Sequence, residues 1–412
     1  MKHIVIVGAG PAGAATALLL AQQGIKVTLL EKETAFERVF RGEGLMPAGL
    51  AALYQIGLQE TFEAVAHRQL TSWDFYVGGQ RRMRVVEPEI AFEDTHTATQ
   101  IMDQGTLLRA IVEKAQQLPN FEFYPGWQVT ELVRDAASES VTSVVATCQG
   151  ERREFVADCA IACDGRYSRL RKLVGLELAQ SPAQFDVLWF KLPAPPALSA
   201  ETPFIVCLQP DRQFAFYPSW DGTVQIGWIV EKSAHKKGGL SALTAKDWIE
   251  EFAQALPPDF AAHFREHRDD LQGPIYLDVQ VGCCQQWSIP GLLLIGDAAH
   301  PMAPNRAQGI NMALRDAIVV ANHFSASKDE PISADVLTAI QAERQPEIEA
   351  VQKMQLAEWR KVELISQPGL PYLGFKAIAS LFGRFKLTQN IWLHEQKGLR
   401  EGVLPVQLSK RE

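Results

Sequence analysis

HIVIVGAGPAGAATALLLAQQGIKVTLLE, from His3 to Glu31, is the stretch whose reading decides the fold. His3 to Val7 is a short β-branched apolar run that fits a buried parallel strand, and the glycine-rich turn GAGPAG, Gly8 to Gly13, follows at once. Ala14 to Gln23 reads as a helix rich in Ala and Leu that stops at Gly24, a C′ glycine. Lys26 to Leu30 alternates as a second strand and delivers Glu31 at its carboxyl end.

Each glycine has a mechanical duty. Gly8 permits the tight turn, Gly10 lets backbone approach a pyrophosphate with no Cβ in the way, and Gly13 allows close packing of helix on strand. Pro11 and Ala12 complete the turn. Glu31 lies eighteen residues after Gly13, with Lys32 beside it. A carboxylate there accepts hydrogen bonds from a ribose 2′-hydroxyl and repels a 2′-phosphate, so FAD or NAD fits better than NADP. The motif alone does not separate FAD from NAD.

Working outward, 412 residues exceed what one hydrophobic core serves, so two interleaved domains are expected. A 47% hydrophobic, 21% charged composition is that of a folded globular chain rather than a disordered one. The formal charge of −8, with Lys and Arg scattered among carboxylates, argues against a nucleic-acid partner. Six cysteines without a CxxC pair, mostly inside apolar runs, suit buried thiols in a reducing, cytoplasmic compartment. The start of the chain does not read as a signal peptide, because its apolar run is broken by Gly8 and Gly10. No apolar run reaches the length of a membrane span. Leu370 to Phe385 comes nearest, interrupted by Pro371, Gly374, Lys376 and Gly383. It reads first as a lid or packing helix, and contact with a membrane surface is the lesser reading.

A further apolar strand, Gly291 to Ile295, runs into GDAAHPMAPNRAQGINMALRDA, Gly296 to Ala317. Here the chain resembles the FAD-dependent aromatic hydroxylases, the para-hydroxybenzoate hydroxylase-like flavin monooxygenases. The resemblance implies that Gly296 and Asp297 hold the ribityl chain or flavin-side ribose of FAD. It also implies that Pro304, Ala307, Gln308, Gly309, Ile310 and Asn311 lie against the isoalloxazine ring. On physical grounds, Gln308 to His323 has helical spacing of apolar residues, and its N-terminus would turn unpaired N–H groups and the positive dipole end toward a ligand. Such an end stabilises the anionic reduced flavin. One departure from the family pattern is Ala307, where relatives usually carry glycine; if positive φ is needed there, Ala costs roughly 1 kcal/mol. Arg306 beside it is placed to reach into a substrate cavity.

Cys159 to Cys163 reads as another buried strand, followed by DGRYSRLRKLVG, Asp164 to Gly175. This resembles the family's Asp-Gly fingerprint, with Asp164, Gly165, Ser168 and Arg171 on the matching positions. Arg41, in RGEGLMP, matches an arginine that in relatives contacts the cofactor or gates the flavin. Gln104, opening a helix from Gln104 to Gln117, sits where relatives carry Arg or Gln near FAD. Alone, either would read as a solvated cap.

The resemblance implies an α/β fold: a Rossmann-type, glutathione-reductase-like FAD domain (residues 1–70, 101–178 and 281–345). An antiparallel-sheet substrate domain (71–100 and 179–280) is interleaved with it, and a helical region (346–412) follows. Phe185 to Lys191, Phe204 to Leu208, Gln213 to Tyr217 and Thr223 to Val230 read as strands of that second sheet. Alternation places Trp189, Phe214, Phe216 or Trp228 on a cavity face or, more commonly, in the core. The implied activity is reduction of FAD by NADH or NADPH, reaction with dioxygen to a C4a-hydroperoxide, and hydroxylation or epoxidation of a small organic, aromatic or polycyclic substrate. Of the side chains, only Arg41, Pro304 and Arg306 stand out as flavin-proximal candidates, because the cofactor supplies the chemistry.

Other readings share the fold. A halogenase would carry WxWxIP, of which Trp287-Ser288-Ile289-Pro290 is only the tail, and a prenyl reductase is suggested faintly by RGEGLMP. A non-catalytic flavoprotein that keeps FAD for stability is the reading of another class. His263-Phe264-Arg265-Glu266-His267 satisfies HxxEH, but in a polar helix from Asp259 to Asp270 with no third ligand signalled, so no metal is expected.

Overall fold

The computed structural model describes residues 2–36, 42–92, 95–181, 185–210, 212–232, 240–327 and 330–409. His3–Val7 sits in the middle of a six-stranded sheet because its side chains are apolar on both faces. The order is Phe121–Pro125, Lys26–Glu31, His3–Val7, Cys159–Ala162, Leu292–Leu294, Ser288–Ile289. The first five run parallel and only the last, a short hairpin partner, is antiparallel. Ile4, Val5 and Ile6 are fully buried, as are Cys159 to Ala162 and Leu292 to Leu294. Helices Pro11–Gln22, Gln104–Gln116 and Gln308–Ala326 pack together in the same core, so all three glycine- or aspartate-bearing turns leave the sheet at its carboxyl edge. A three-stranded meander, Gln128–Arg134, Val141–Cys148 and Glu151–Val156, lies beside it; the sequence reading had not separated these strands.

The second sheet has seven strands, ordered Gln272–Leu277, Phe185–Pro193, Thr223–Glu231, Arg212–Pro218, Pro203–Gln209, Ser72–Val77, Gln80–Val86. It is antiparallel with one exception: Pro203–Gln209 pairs parallel with Ser72–Val77. The exception arises because Ser72–Val77 enters from a distant part of the chain, where no hairpin dictates direction. One face is covered by helices Ala245–Ala253 and Pro258–Glu266, whose Trp248, Phe252 and Phe264 pack on Phe190, Phe214, Phe216 and Trp228. The opposite face carries Val187, Trp189 and Ile229 and looks into the molecule's large cavity. Trp189 therefore lines the cavity, Phe216 and Trp228 are core, and Phe214 reaches the cavity wall from that core.

The long helix Ala334–Ile365 then crosses both regions, and Leu370–Phe382, Lys386–Glu395 and Lys397–Glu401 close the far side. No helix of the described residues is long and apolar enough to cross a membrane. All six cysteines are free thiols.

Candidate active site

The cradle begins at the first turn. Gly8 has φ +101°, and a Cβ there would stand 2.4 Å from the Cys163 carbonyl oxygen. A Cβ on Gly13 would stand 1.9 Å from the Gly8 oxygen, so helix and strand approach as closely as backbone permits. At Gly10 a Cβ would meet no protein atom within 4 Å, and the residue opens on the cavity with Pro11 and Ala12. Space is kept there for something that is not protein. Glu31 accepts from the Ala9 N–H at 2.7 Å and the Glu33 N–H at 3.1 Å, bonds that fix its carboxylate at the cavity edge. Lys32 lines the same edge, exposed beside Glu33.

Asp164 spends one carboxylate oxygen on the N–H groups of Arg169 and Leu170, at 2.7 and 3.1 Å, capping the helix Arg169–Leu173. Its other oxygen is buried without a partner in a residue that lines the cavity. A buried acceptor left so costs about 1–3 kcal/mol, and a donor on a bound ligand would relieve it. Gly165, at φ +82°, turns the chain beside it. The basic residues that follow Asp164 have structural partners here. Buried Arg171 donates to the Ala298 carbonyl at 2.7 Å and the Arg166 carbonyl at 2.9 Å, stitching the Asp164 loop to the Asp297 loop. Arg166 in turn lies 3.7 Å from the Asp297 carboxylate. Cys163, also on the wall, has its thiol pushed far above the ordinary value by burial and neighbouring Asp164, so it stays protonated and is no nucleophile.

Beneath the Asp297 turn lies a charge network absent from the sequence reading. Asp316 accepts from the Gly296 N–H at 3.0 Å, His300 at 2.8 Å and Arg344 at 2.8 Å. Arg344 and Arg315 both bond Glu347, which also accepts from Val403. Asp316, His300, Arg315, Arg344 and Glu347 are all buried. Burial alone would raise the Asp316 carboxyl, but His300 and Arg344 outweigh it and hold it down to about 2.

The Pro304 turn is left-handed at two successive non-glycine residues, Arg306 at φ +61° and Ala307 at φ +48°. Ala307 is the N-cap of Gln308–Ala326, with no side-chain cap. Pro304, Ala307, Gly309 and Ile310 line the cavity. The Gln308 and Asn311 side chains are engaged at the turn itself. Gln308 donates to the Arg306 and Leu399 carbonyls, both at 2.8 Å, and Asn311 joins the Met46 N–H to the Ala307 carbonyl. Both side chains brace the turn, because its strained backbone leaves polar groups that need partners. Gly13 and Gly296 likewise act through packing: a Cβ on Gly296 would lie 3.0 Å from Ala12 Cβ. Gln104 faces the cavity as the first helical residue after the Asp103 cap. Arg41 lies outside the described residues.

Beyond the turn the cavity widens between aromatic walls, for a total of about 1740 Å³. That exceeds the roughly 300–1,000 Å³ of a single small-molecule pocket and leaves room for a dinucleotide together with a substrate. Arg306 lines it, with its guanidinium 4.3 Å from the Trp73 ring centre and 4.9 Å from that of Trp392, and bonded to Glu358 at 2.9 Å. Trp73 is fixed by Glu87, which also takes Thr99 and Arg400. On another wall, buried Glu43 accepts from Ser219 at 2.7 Å and from Lys191 at 3.1 Å, and the Gln225 amide N–H donates to it too. Burial pushes the Glu43 carboxyl up while Lys191 opposes it. Glu43, Trp73, Glu358 and Trp392 were not among the expected site residues.

His263, Glu266 and His267 lie away from this cavity. Their ligand atoms come within 4.8 Å of one another, so Glu266 does supply the third donor that had not been anticipated, because the helix ends at that residue and His267 swings round. One nitrogen of each ring is engaged, His263 Nε2 with the Pro193 carbonyl at 3.0 Å and His267 Nδ1 with Asp270 at 3.0 Å.

Residues 1–355 match the family model described as FAD binding domain. The chain belongs to the FAD-dependent aromatic hydroxylase family. It is 31% identical to 6-methylpretetramide 4-monooxygenase of Streptomyces rimosus over 366 residues, 87% of this chain and 83% of that one. Rifampicin monooxygenase of Streptomyces venezuelae is 26% identical over 84% of this chain and 68% of its own. Among solved structures, p-nitrophenol 4-monooxygenase PnpA of Pseudomonas putida shares the fold with a TM-score of 0.80, at 20% identity, covering 98% of this chain and 100% of that one. This member of the family is therefore an FAD-dependent monooxygenase that draws reducing equivalents from NADH or NADPH and acts with dioxygen on a small organic molecule. The reductase, halogenase and scaffold readings find no support among these relatives.

Proposed function

We propose that this monooxygenase hydroxylates a broad, mainly apolar aromatic or polycyclic substrate held between the Pro304 turn and the aromatic wall of the second sheet. One observation carries the reading: the same cavity is lined by Gly10 and by Trp73, Trp189, Phe204 and Tyr217. The residues present fit FAD, through the Cβ-free space at Gly10 and the unmet buried acceptor of Asp164. Gly10 and the N-terminus of Pro11–Gln22 would hold the pyrophosphate, Glu31 the adenosine ribose, Asp297 the ribityl side, and Pro304 to Ile310 the ring. Reduced by NADH or NADPH, FAD supplies activation of dioxygen for transfer of one oxygen atom to the substrate.

The chain's own work is positioning and exclusion of water. Apolar side chains such as Met46, Leu70, Val187 and Ile229 keep the reaction space dry, while Arg306 offers a fixed cation at the junction of cradle and pocket. Its guanidinium keeps N–H groups on a planar fork able to orient a phenolate or carbonyl oxygen of the substrate. Glu43, Lys191 and Asp221 tie the Gly42–Gly44 loop to the second sheet across the domain boundary, Lys191 to Asp221 at 2.7 Å. The test is stopped-flow reduction of the bound flavin by NADH and NADPH across a panel of polycyclic phenols, with isotopically heavy dioxygen. Substrate-accelerated reduction and label in the product are expected. Uniform inertness across the panel, with no label incorporated, overturns the reading.

A further inference from the structure

We propose that helices Leu370–Phe382 and Lys386–Glu395 form a docking face for an anionic phospholipid surface, set at the mouth of the substrate cavity. The statement about the membrane stands on the face itself; that the mouth admits substrate rests on the function proposed above.

Helix Leu370–Phe382 is turned inside out. Tyr372, Lys376 and Gly383, one stripe at helical spacing, face the body: Tyr372 is buried and donates to the Leu208 carbonyl at 3.5 Å, and a Cβ on Gly383 would stand 2.4 Å from the Arg82 carbonyl oxygen. The opposite stripe, Leu370, Leu373, Ile378 and Leu381, is exposed at 84, 58, 59 and 67%. Leu387 and Ile391, at 72 and 54%, extend it onto the next helix, and Phe382 and Phe385 join the two with ring centres 6.1 Å apart. A contiguous apolar surface of this kind marks an interaction site, whereas single exposed leucines do not.

Charge selects the occupant. Residues 364–394 contain Lys376, Arg384 and Lys386 and no carboxylate, in a chain of net charge −8. Arg384 and Lys386 are exposed and have no carboxylate partner among the described residues, while the flanking Lys361 and Lys397 are paired with Glu395 and Glu401. Lys386 opens a helix whose first turn has no acid, where the helix dipole disfavours a cation unless an anion faces it. A second copy docked by the same face would bring these cations together, whereas anionic headgroups would neutralise them as the leucines enter the acyl boundary. Exposed Ile378, Phe382 and Ile391 are also cavity-lining residues, so the face and the mouth are continuous, and Trp392 on the same helix touches Trp73 inside, ring centres 5.6 Å apart. A lipophilic substrate would pass from bilayer to pocket without crossing water.

Co-sedimentation of the FAD-loaded protein with phosphatidylglycerol–phosphatidylcholine vesicles and with pure phosphatidylcholine vesicles tests this. The protein should sediment with the anionic vesicles, less so as salt rises, and hardly with the neutral ones. Arg384→Gln with Lys386→Gln should lower partition roughly thirtyfold, equivalent to about 1 kcal/mol per cation. Leu373→Glu with Leu381→Glu should abolish it and leave the flavin spectrum and substrate-free NAD(P)H oxidation unchanged, since neither residue lines the cavity. Wild type remaining in the supernatant with both vesicles, or variants that bind as well as wild type, overturns the proposal. So does a wild-type dimer in sedimentation velocity that the leucine pair converts to monomer while vesicles are ignored. Vesicle binding does not depend on turnover, so loss of the monooxygenase reading would leave this result standing, and the reverse holds too.

Discussion

At its nucleotide end the cavity is walled by backbone: glycines at 8, 10 and 165 and the open ends of helices, all leaving one edge of a parallel sheet. At its substrate end it is walled by side chains that arrive from many separate elements, with Trp73, Phe204 and Trp392 in ring contact and Arg306 laid over two of them. The first wall is set by backbone, crowded at Gly8 and left open at Gly10, and is shaped for one class of ligand. The second is a set of interchangeable surfaces, which is how one fold accommodates many substrates. Substitutions should therefore act all-or-none on the first wall and by degrees on the second.

The largest effect is expected at Gly10. Gly10→Val fills the space kept clear of protein atoms and should leave the protein colourless after gel filtration while its far-ultraviolet circular dichroism is unchanged. Asp297→Ala should also weaken flavin retention severely. Either variant retaining stoichiometric flavin would break the contrast between the two walls.

Next in size is Asp316→Asn, which removes the counter-charge shared by Arg344 and His300 in the core and should cost about 3–5 kcal/mol in urea unfolding at neutral pH. Its pH signature follows from the depressed carboxyl. The stabilisation is fully present above the unfolded value near 4 and is lost as pH falls toward about 2, a span worth roughly 2 kcal/mol. Wild type should thus lose stability between pH 4 and 2 more steeply than the variant; parallel acid limbs would sink the assignment.

On the substrate wall, Trp392→Ala removes one of two rings over the Arg306 guanidinium. It should lower kcat/KM about tenfold, in keeping with the 0.5–2 kcal/mol of such a contact, and leave FAD in place. Flavin loss in that variant would show that the walls are not separable.

This contrast also explains what could be read from the sequence. The cradle is legible because each turn is contiguous and its residue types are nearly obligatory: only glycine suits the backbone at Gly8, where φ is +101°, and a Cβ on Gly13 would overlap a carbonyl. Glu43, Trp73, Glu358 and Trp392 are common residues in unremarkable surroundings, made into a site by convergence over more than three hundred positions of chain. Asp316 was hidden differently, since in ALRDA an aspartate reads as a solvated helix position until Arg344 and His300 are placed against it. Asn311 was named by its position in the family pattern, and its bond from the Met46 N–H, made across more than 260 residues of chain, could not be read there.

The smallest effect tests the junction of the two walls. Ala307 sits at φ +48°, where an L side chain is strained by roughly 1–2 kcal/mol, and a glycine would release that strain. Against this, glycine makes the unfolded chain more flexible, a loss of about 0.4–1 kcal/mol. Ala307→Gly should therefore stabilise the protein slightly, by no more than about 1.5 kcal/mol in urea unfolding. The methyl also faces Gly44, where a Cβ would stand 3.0 Å from it, so its removal widens the space beside the flavin turn without touching Arg306. If the turn is set by the braces of Gln308 and Asn311 rather than by the residue at 307, flavin absorbance should stay where it is as stability rises. A shifted flavin spectrum with unchanged stability would mean instead that the alanine is there to place the ring.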